Sequence, residues 1–350
     1  MKTSVSKTAL LIAISMLLLA LLPGCGVSSA PEQNADGETL TVYFIDVGQA
    51  DSILVSCGGQ NMLIDGGNAE DSDLIYAFLR DHGIERLDYL VATHAHEDHI
   101  GGLPGALNYA QAGTAFCPVT EYNSRVFQNF VKYLDDHGVS ITVPKPGDTF
   151  TLGGAEAAVV GPINPSDDPN ATSIVIRLTY GGTSFLFAGD AERAEEQDIL
   201  DAGYELSADV LKVGHHGSET STSYAFLREI MPEYGVISCG EDNSYGHPHD
   251  EAMSRLRDAD VTLYRTDMQG TVICVSDGEN ITFSTQRNSG ALTNPSAEAS
   301  APEYYIGNIN SHKFHRPDCS GLPAEKNSVV FAERSEAVGA GYTPCGICSP

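Results

Sequence analysis

Apolar positions along the chain follow two rhythms. From Thr39 onward, Leu40 to Val47, Ser52 to Ser56 and Asn61 to Ile64 alternate or stay apolar and read as strands. Asp71 to His82 sets Leu74, Ile75, Phe78 and Leu79 at helical spacing. An apolar strand follows from Leu87 to Ala92, then a helix near Leu103 to Gln111 and another from Ser124 to His137, stopped by Gly138. Ala155 to Val160, Ser173 to Tyr180 and Thr183 to Ala188 read as strands, the last two joined as a hairpin by Gly181-Gly182. Helices at Ala191 to Asp201, Ser221 to Ile230 and Asp250 to Asp258 then alternate with strands at Asp209 to Val213, Gly235 to Ser238 and Val261 to Arg265. Strands at Thr271 to Val275 and Ile281 to Ser284 follow. This alternation predicts an α/β fold of two mixed sheets covered by helices over residues 39–285.

The two ends depart from that pattern. Lys2 and Lys7 precede an apolar stretch from Ala9 to Leu22 and then Pro23-Gly24-Cys25. This is the pattern of a secretory leader over residues 1–24, and its last residues resemble a bacterial lipoprotein cleavage site with Cys25 as the lipidated residue. Residues 25–38 are small and polar and read as a tether. The expectation is a protein held at the outer face of the cytoplasmic membrane by its N-terminus, or secreted. Residues 286–303 are rich in Ser, Ala, Asn and Pro and read as a linker to a small module over 304–350.

Charge narrows the partners. Nineteen basic against 47 acidic residues give a formal charge of −28, which argues against a broad nucleic-acid-binding surface. Cys57, Cys117, Cys239 and Cys274 lie mostly beside strand-like runs and read as small core residues.

The strongest chemical signal is Thr93-His94-Ala95-His96-Glu97-Asp98-His99, which closes a predicted strand and runs into Gly101-Gly102. Three histidines and an aspartate crowded on a strand-to-helix turn fit metal ligation better than a core, and the donor set favours zinc, iron or manganese over calcium. Other ligand types recur at strand ends: Asp46, Asp65, Asp190, His215 with His216, and His247 with His249. Seven of the 11 histidines fall in three such clusters. A metal ion lowers the pKa of a bound water to about 7 and so supplies a nucleophile at neutral pH.

Phe44 to Ser52, Thr93 to Gly102, Asn170 to Leu178, Phe185 to Glu192, Leu211 to Ser218 and Asn243 to His249, with Arg265-Thr266-Asp267 and Gly270, resemble the metallo-β-lactamase fold superfamily. Within it they are similar to the hydrolase domain of ComEC-type competence proteins and their secreted relatives. The resemblance implies a four-layer αββα sandwich with metals at one edge. It implies His94 and His96 on a first metal, Asp98 and His99 on a second, Asp190 bridging, and His215 completing the second site, with His247 competing for that place. It implies catalytic roles for Asp98, His216 and His247, with His216, His247 and Ser218 able to hydrogen-bond a phosphate. Asp46 and Asp65 are expected to orient ligand histidines. Many superfamily members carry another histidine before the bridging aspartate; here the interval holds His137 alone, and Asn170 and Ser173 occupy the expected region. One or two ions, Zn2+ or Mn2+, are expected.

In the tail, His315 and Cys319 are followed by Cys345-Gly346-Ile347-Cys348. A small module of this size needs a staple, and a structural zinc on His315, Cys319, Cys345 and Cys348 supplies one; a disulfide among the cysteines is the other reading. The stretch resembles the zinc-binding domain of Ada-type DNA repair proteins. The leading expectation for the whole chain is a lipid-anchored, metal-dependent phosphodiesterase acting on DNA. The alternatives are a cell-envelope phosphoesterase like the phosphorylcholine esterases, or a non-catalytic metal-containing surface binding protein.

Overall fold

The structure is a computed structural model that describes residues 39–294, 304–317, 319 and 321–345. The expected leader, tether and lipidation site at Cys25, as well as Cys348 and the second half of the expected linker, lie outside the described residues.

The first sheet is built from β1 (Leu40–Phe44), β2 (Ile53–Cys57), β3 (Gln60–Ile64), β4 (Arg86–Val91), β5 (Gln111–Phe116) and β6 (Ile141–Thr142). The second contains β7 (Thr149–Leu152), β8 (Ala155–Gly161), β9 (Val175–Tyr180), β10 (Thr183–Phe187), β11 (Val210–Lys212), β12 (Tyr234–Ile237) and β13 (Thr262–Arg265). The chain then returns to the first sheet with β14 (Val272–Ser276) and β15 (Ile281–Thr285), giving the order β15-β14-β1-β2-β3-β4-β5-β6 against β13-β12-β11-β10-β9-β8-β7. Each sheet is antiparallel on one side and parallel on the other: β3 to β6 run parallel in the first, and β10 to β13 in the second.

Three apolar layers hold the sheets and helices together. Between the sheets, Val42, Phe44, Val55 and Val272 meet Val159, Ile176, Phe185 and Val236. Outside the first sheet, helices Ser72–Asp81, Leu103–Tyr109 and Arg125–Asp136 bury Ile75, Leu79, Leu103, Phe127 and Phe130 against Leu54, Leu63 and Leu90. Outside the second, helices Arg193–Ala202, Tyr224–Ile230 and Asp250–Asp258 bury Ile199, Phe226, Ile230 and Leu256 against Leu186, Leu211 and Val213. The result is the expected αββα sandwich, in which both faces of each sheet are covered.

Three strands differ from the sequence reading, one of them the two-residue β6, which pairs with β5. The helix expected to reach Gln111 ends at Tyr109, and Gln111–Phe116 becomes β5, whose Gln-Ala-Gly-Thr run carries no apolar rhythm and is a strand by pairing with β4. Thr149–Leu152 forms β7 by antiparallel pairing with β8. The expected linker also begins as a docked strap. Arg287 pairs with Asp46 at 3.1 Å, and the hydroxyl of Thr293 donates to the Leu263 carbonyl at 2.6 Å.

The C-terminal module is a third sheet of β16 (Tyr305–Asn308), β17 (Lys313–His315), β18 (Ser328–Phe331) and β19 (Thr343–Pro344), in the order β18-β16-β17-β19, with helix Arg334–Gly339 beside it. Arg334 leaves that helix to form an ion pair with Asp258, and its guanidinium lies 5.4 Å from the Phe314 ring centroid.

Candidate metal centre

The site forms where parallel strands end. After β4, Thr93 to His96 lead into a single helical turn at Glu97–Ile100, with His96 at its N-terminal cap. Glycine is required next, because a Cβ on Gly102 would strike the Gly66 carbonyl and one on Gly101 the backbone at Ala69. Only two bare glycines let this turn press onto the Asp65-Gly66-Gly67 loop. After β10 comes Asp190, and after β11 come His215 and His216, held at φ of 49° and 53° in a turn over Gly214–Gly217. Asp65 stands at φ 58°. A non-glycine residue in this region costs on the order of 1–2 kcal/mol, and such strain gathers where the surrounding structure must fix a side chain.

Asp190 sits at the centre. Its Oδ2 lies 3.2 Å from His99 Nε2, 3.7 Å from His215 Nε2, 3.7 Å from His216 Nε2 and 3.9 Å from His94 Nε2. One carboxylate oxygen facing four imidazole nitrogens puts Asp190 where it would share a metal with them. Asp98, His99, Asp190 and His216 all offer ligand atoms within 4.8 Å of one another, and Asp98 Oδ2 is 3.3 Å from His216 Nε2. Among the described residues, His99 Nε2 and His216 Nε2 are buried and face carboxylates without a well-aligned hydrogen bond, and Asp190 Oδ1 and Asn170 Oδ1 are buried with no hydrogen-bond partner. Buried polar atoms are seldom left unpaired; here Asn170, Asp190 and His216 line one cleft, of about 310 Å³, with the donor chemistry of a zinc-type ion. The residues fit a metal.

Hydrogen bonds behind the ligands fix which nitrogen faces the cleft. His99 Nδ1 donates to Asp65 Oδ2 at 2.8 Å, and Asp65 also accepts from the Thr93 backbone and hydroxyl at 2.8 and 2.6 Å. His216 Nδ1 donates to the Ser238 carbonyl at 3.0 Å and lies 3.3 Å from Asp51 Oδ1. Ser173 accepts from the Asp190 backbone N–H at 3.1 Å and lies 3.5 Å from His94 Nδ1. For His99 and His216 this aims the opposite nitrogen at Asp190, as ligation requires, whereas His94 Nε2 also faces His96 Nδ1 at 3.0 Å.

Three expectations change. His216, read as a substrate contact, is buried among the ligand groups, while His215 is partly exposed and turns its Nδ1 to Glu192 at 3.2 Å. Among the described residues, the structure therefore gathers His216, rather than His215, with Asp98 and His99. Asp46 orients no histidine: it accepts from the Gly48 backbone and pairs with Arg287. Ser218 is buried, and its hydroxyl is paired with Thr220 at 2.9 Å instead of facing the cleft. His137 donates from Nε2 to the Leu107 carbonyl at 2.7 Å and is not part of the site.

The sequence carries no motif that pairs Asp51 with Lys212. They form an ion pair of 2.8 Å with both side chains 1% exposed. A pair this deep must be matched, since removing one partner strands the other charge. The available signal was Lys212 itself, a charge inside the apolar run Val210 to Val213.

Charge divides the cluster. Burial alone would push His99 down, but Asp190, Asp65 and Asp98 outweigh it and hold it well above the ordinary histidine range. His216 is raised to about 10 against burial by Asp190 and Asp51. Asp98 is lowered to about 2 and Asp190 well below the usual range, in both cases against burial and chiefly by His99. His94 moves the other way, lowered well below the ordinary value by burial and by neighbouring His99. At the mouth, His247 is half-buried, lowered to about 4 by burial and by the positive neighbour His216, and lies 3.2 Å from the Gln49 amide nitrogen.

In the module, His315, Cys319 and Cys345 offer ligand atoms within 4.8 Å of one another, and His315 Nδ1 is 3.4 Å from Cys319 Sγ. Among the described residues His315 Nε2 has no hydrogen-bond partner, and it is buried. None of the six described cysteines is in a disulfide, and Cys57, Cys117, Cys239 and Cys274 are all buried, as expected for core residues. Among the described residues no helix is long and apolar enough to cross a membrane.

Comparison with known proteins identifies the family. Residues 45–241 match the profile of the Metallo-beta-lactamase superfamily, and residues 291–350 match that of the Metal binding domain of Ada. ComE operon protein 3 of Bacillus subtilis is 32% identical over 263 residues, covering 69% of this chain and 33% of that protein. Competence protein ComA of Neisseria gonorrhoeae is 30% identical over 278 residues, covering 75% of this chain and 38% of its own length. The chain thus spans about a third of the length of the curated relatives it matches. Among solved structures, the metallo-beta-lactamase fold protein YhfI from Bacillus subtilis covers 68% of this chain at 14% identity with a TM-score of 0.46.

Proposed function

The chain belongs to the metallo-beta-lactamase superfamily as a metal-dependent hydrolase with an Ada-like zinc-binding module, and from that premise we propose that it is a phosphodiesterase acting on DNA. The observation that carries the reading is Asp190 Oδ2 set among four imidazole nitrogens at 3.2–3.9 Å, with unpartnered ligand atoms around it in an open cleft. The ions supply an activated nucleophile and neutralise charge that develops on a phosphoryl group.

The chain's own residues do the rest. Asp98, His99, Asp190 and His216 would hold one ion; His94 and His96 would hold the other, with Asn170 and His215 beside them. Asp65, Thr93, Ser173 and Ser238 fix their orientation. His247, neutral near pH 7 and aligned by Gln49, is placed to hydrogen-bond a phosphate oxygen at the mouth. The competence-protein names of the relatives and the match to the Ada domain support DNA over other phosphodiesters. The N-terminal pattern supports anchoring through Cys25 at the outer face of the cytoplasmic membrane.

The test is hydrolysis of DNA and of a phosphocholine ester by the purified chain loaded with zinc or manganese. The reading expects DNA cleavage that falls by at least ~100-fold in Asp190→Asn, which keeps the shape but weakens the bridge. Cleavage of the phosphocholine ester alone would replace DNA by an envelope substrate, and metal retention with neither activity would make the protein a binding protein.

A further inference from the structure

A nucleic-acid strand approaching this cleft meets an unfavourable field. It carries a negative charge at every phosphate, the chain's formal charge is −28, and neither lysine nor arginine is among the described residues that line the cleft. Away from the metals, the strand must be held by something indifferent to charge.

Tyr245 has that property. It lines the cleft and is 67% exposed, although a large aromatic ring is normally at least partly covered. Its ring lies 5.7 Å from that of His247 with 23° between planes, and His247 lies 6.1 Å from His216 at 25°. A column of near-parallel rings therefore runs from the buried ligand group to solvent, with Tyr245 as its outermost member.

The turn that carries the ring is cross-braced. The Asn243 side-chain oxygen accepts from the backbone N–H of Tyr245 at 3.2 Å and of His247 at 3.0 Å, and its amide donates to the carbonyls of Gly240 and His247 at 2.9 and 2.5 Å. His249 Nε2 is 3.0 Å from the Tyr245 carbonyl. A flat apolar face, rigidly mounted beside a metal centre, is the form that stacking sites for single strands take.

Resting on the phosphodiesterase reading, we propose that Tyr245 is a base-stacking platform. It takes an unpaired nucleobase adjacent to the scissile phosphate, and so selects single-stranded or frayed nucleic acid. A base within a duplex is already stacked on both sides and must be unstacked before it can reach such a ring.

The chain contains no tryptophan, so Tyr245→Trp places a single reporter on the platform. In the zinc-loaded full-length chain, single-stranded oligothymidylate should quench that fluorescence, whereas a backbone of equal length lacking bases should not. Tyr245→Ala should raise KM for the oligonucleotide roughly tenfold, the loss expected of one stacked base, with kcat nearly unchanged; Tyr245→Phe should behave as wild type. Equal quenching by the baseless backbone, an unchanged KM in Tyr245→Ala, or quenching by phosphocholine in place of the oligonucleotide would overturn the proposal. Base-dependent quenching without cleavage keeps the platform and removes the hydrolase substrate reading. Cleavage without base-dependent quenching does the reverse.

Discussion

The two halves of the metal centre share Asp190 but are built differently. Around Asp98, His99 and His216, every ligand is buried or braced, and Asp65, Ser238 and the Asp51–Lys212 pair stand directly behind the imidazoles. Around His94 and His96 the supply is thinner. His94 Nε2 lies 3.0 Å from His96 Nδ1, the neutral side chain of Asn170 lines the cleft with His96, and His215 is partly exposed. Their protons differ as well: without metal, His99 and His216 are held charged by surrounding carboxylates, whereas burial keeps His94 neutral. Ligand number and ligand protonation are thus separate variables. The better-furnished half must lose protons to bind metal, whereas His94 is already in the binding form.

The largest expected consequence is in pH. With His216 raised to about 10, its proton is present at neutral pH and must leave when metal enters. Affinity of the braced half should rise about tenfold per pH unit for each proton displaced between pH 6 and 8, while His94, kept neutral by burial, releases none; calorimetry in buffers of different ionisation enthalpy counts the protons. The same shift fixes the sign for the metal-free fold. A raised histidine stabilises fully below its unfolded value near 6.5 and loses that contribution as pH climbs through about 10. A pH-independent affinity in the braced half would erase the distinction.

Next in size is the support behind His216. Asp51→Asn leaves Lys212 as an uncompensated buried charge and loosens His216, so metal affinity in the braced half should fall by roughly 10–100-fold, measured by competition with a chromophoric chelator. An unchanged affinity would show that the ion pair serves folding alone. Smallest is the repair of the poorer half. Asn170→His should strengthen the weaker ion by a few-fold, on the view that a further nitrogen donor is missing there; no gain would mean that the Asn170 amide oxygen already completes that half.

Much of this was legible in the sequence because it depends on local rules. The helix at Asp250–Asp258 has the predicted bounds, and the helix at Arg125–Asp136 begins at Ser124, whose side chain accepts from the Phe127 backbone. His94 to His99 declared a metal turn by density alone. What escaped was non-local. β5 exists because β4 offers an edge, not because Gln111–Phe116 has a strand rhythm. The choice between His215 and His216 turns on two successive left-handed residues, a backbone detail no spacing encodes. Asp46 and Asp51 flank the same loop in similar sequence surroundings, yet one meets Arg287 at the surface and the other Lys212 in the interior.

Zinc titration of His216→Ala beside His215→Ala in the full-length chain, with the module's ion present in both, tests the arrangement most directly. The account predicts that His216→Ala loses at least tenfold in affinity for the tighter ion of the cleft while His215→Ala keeps it; a larger loss in His215→Ala would contradict it.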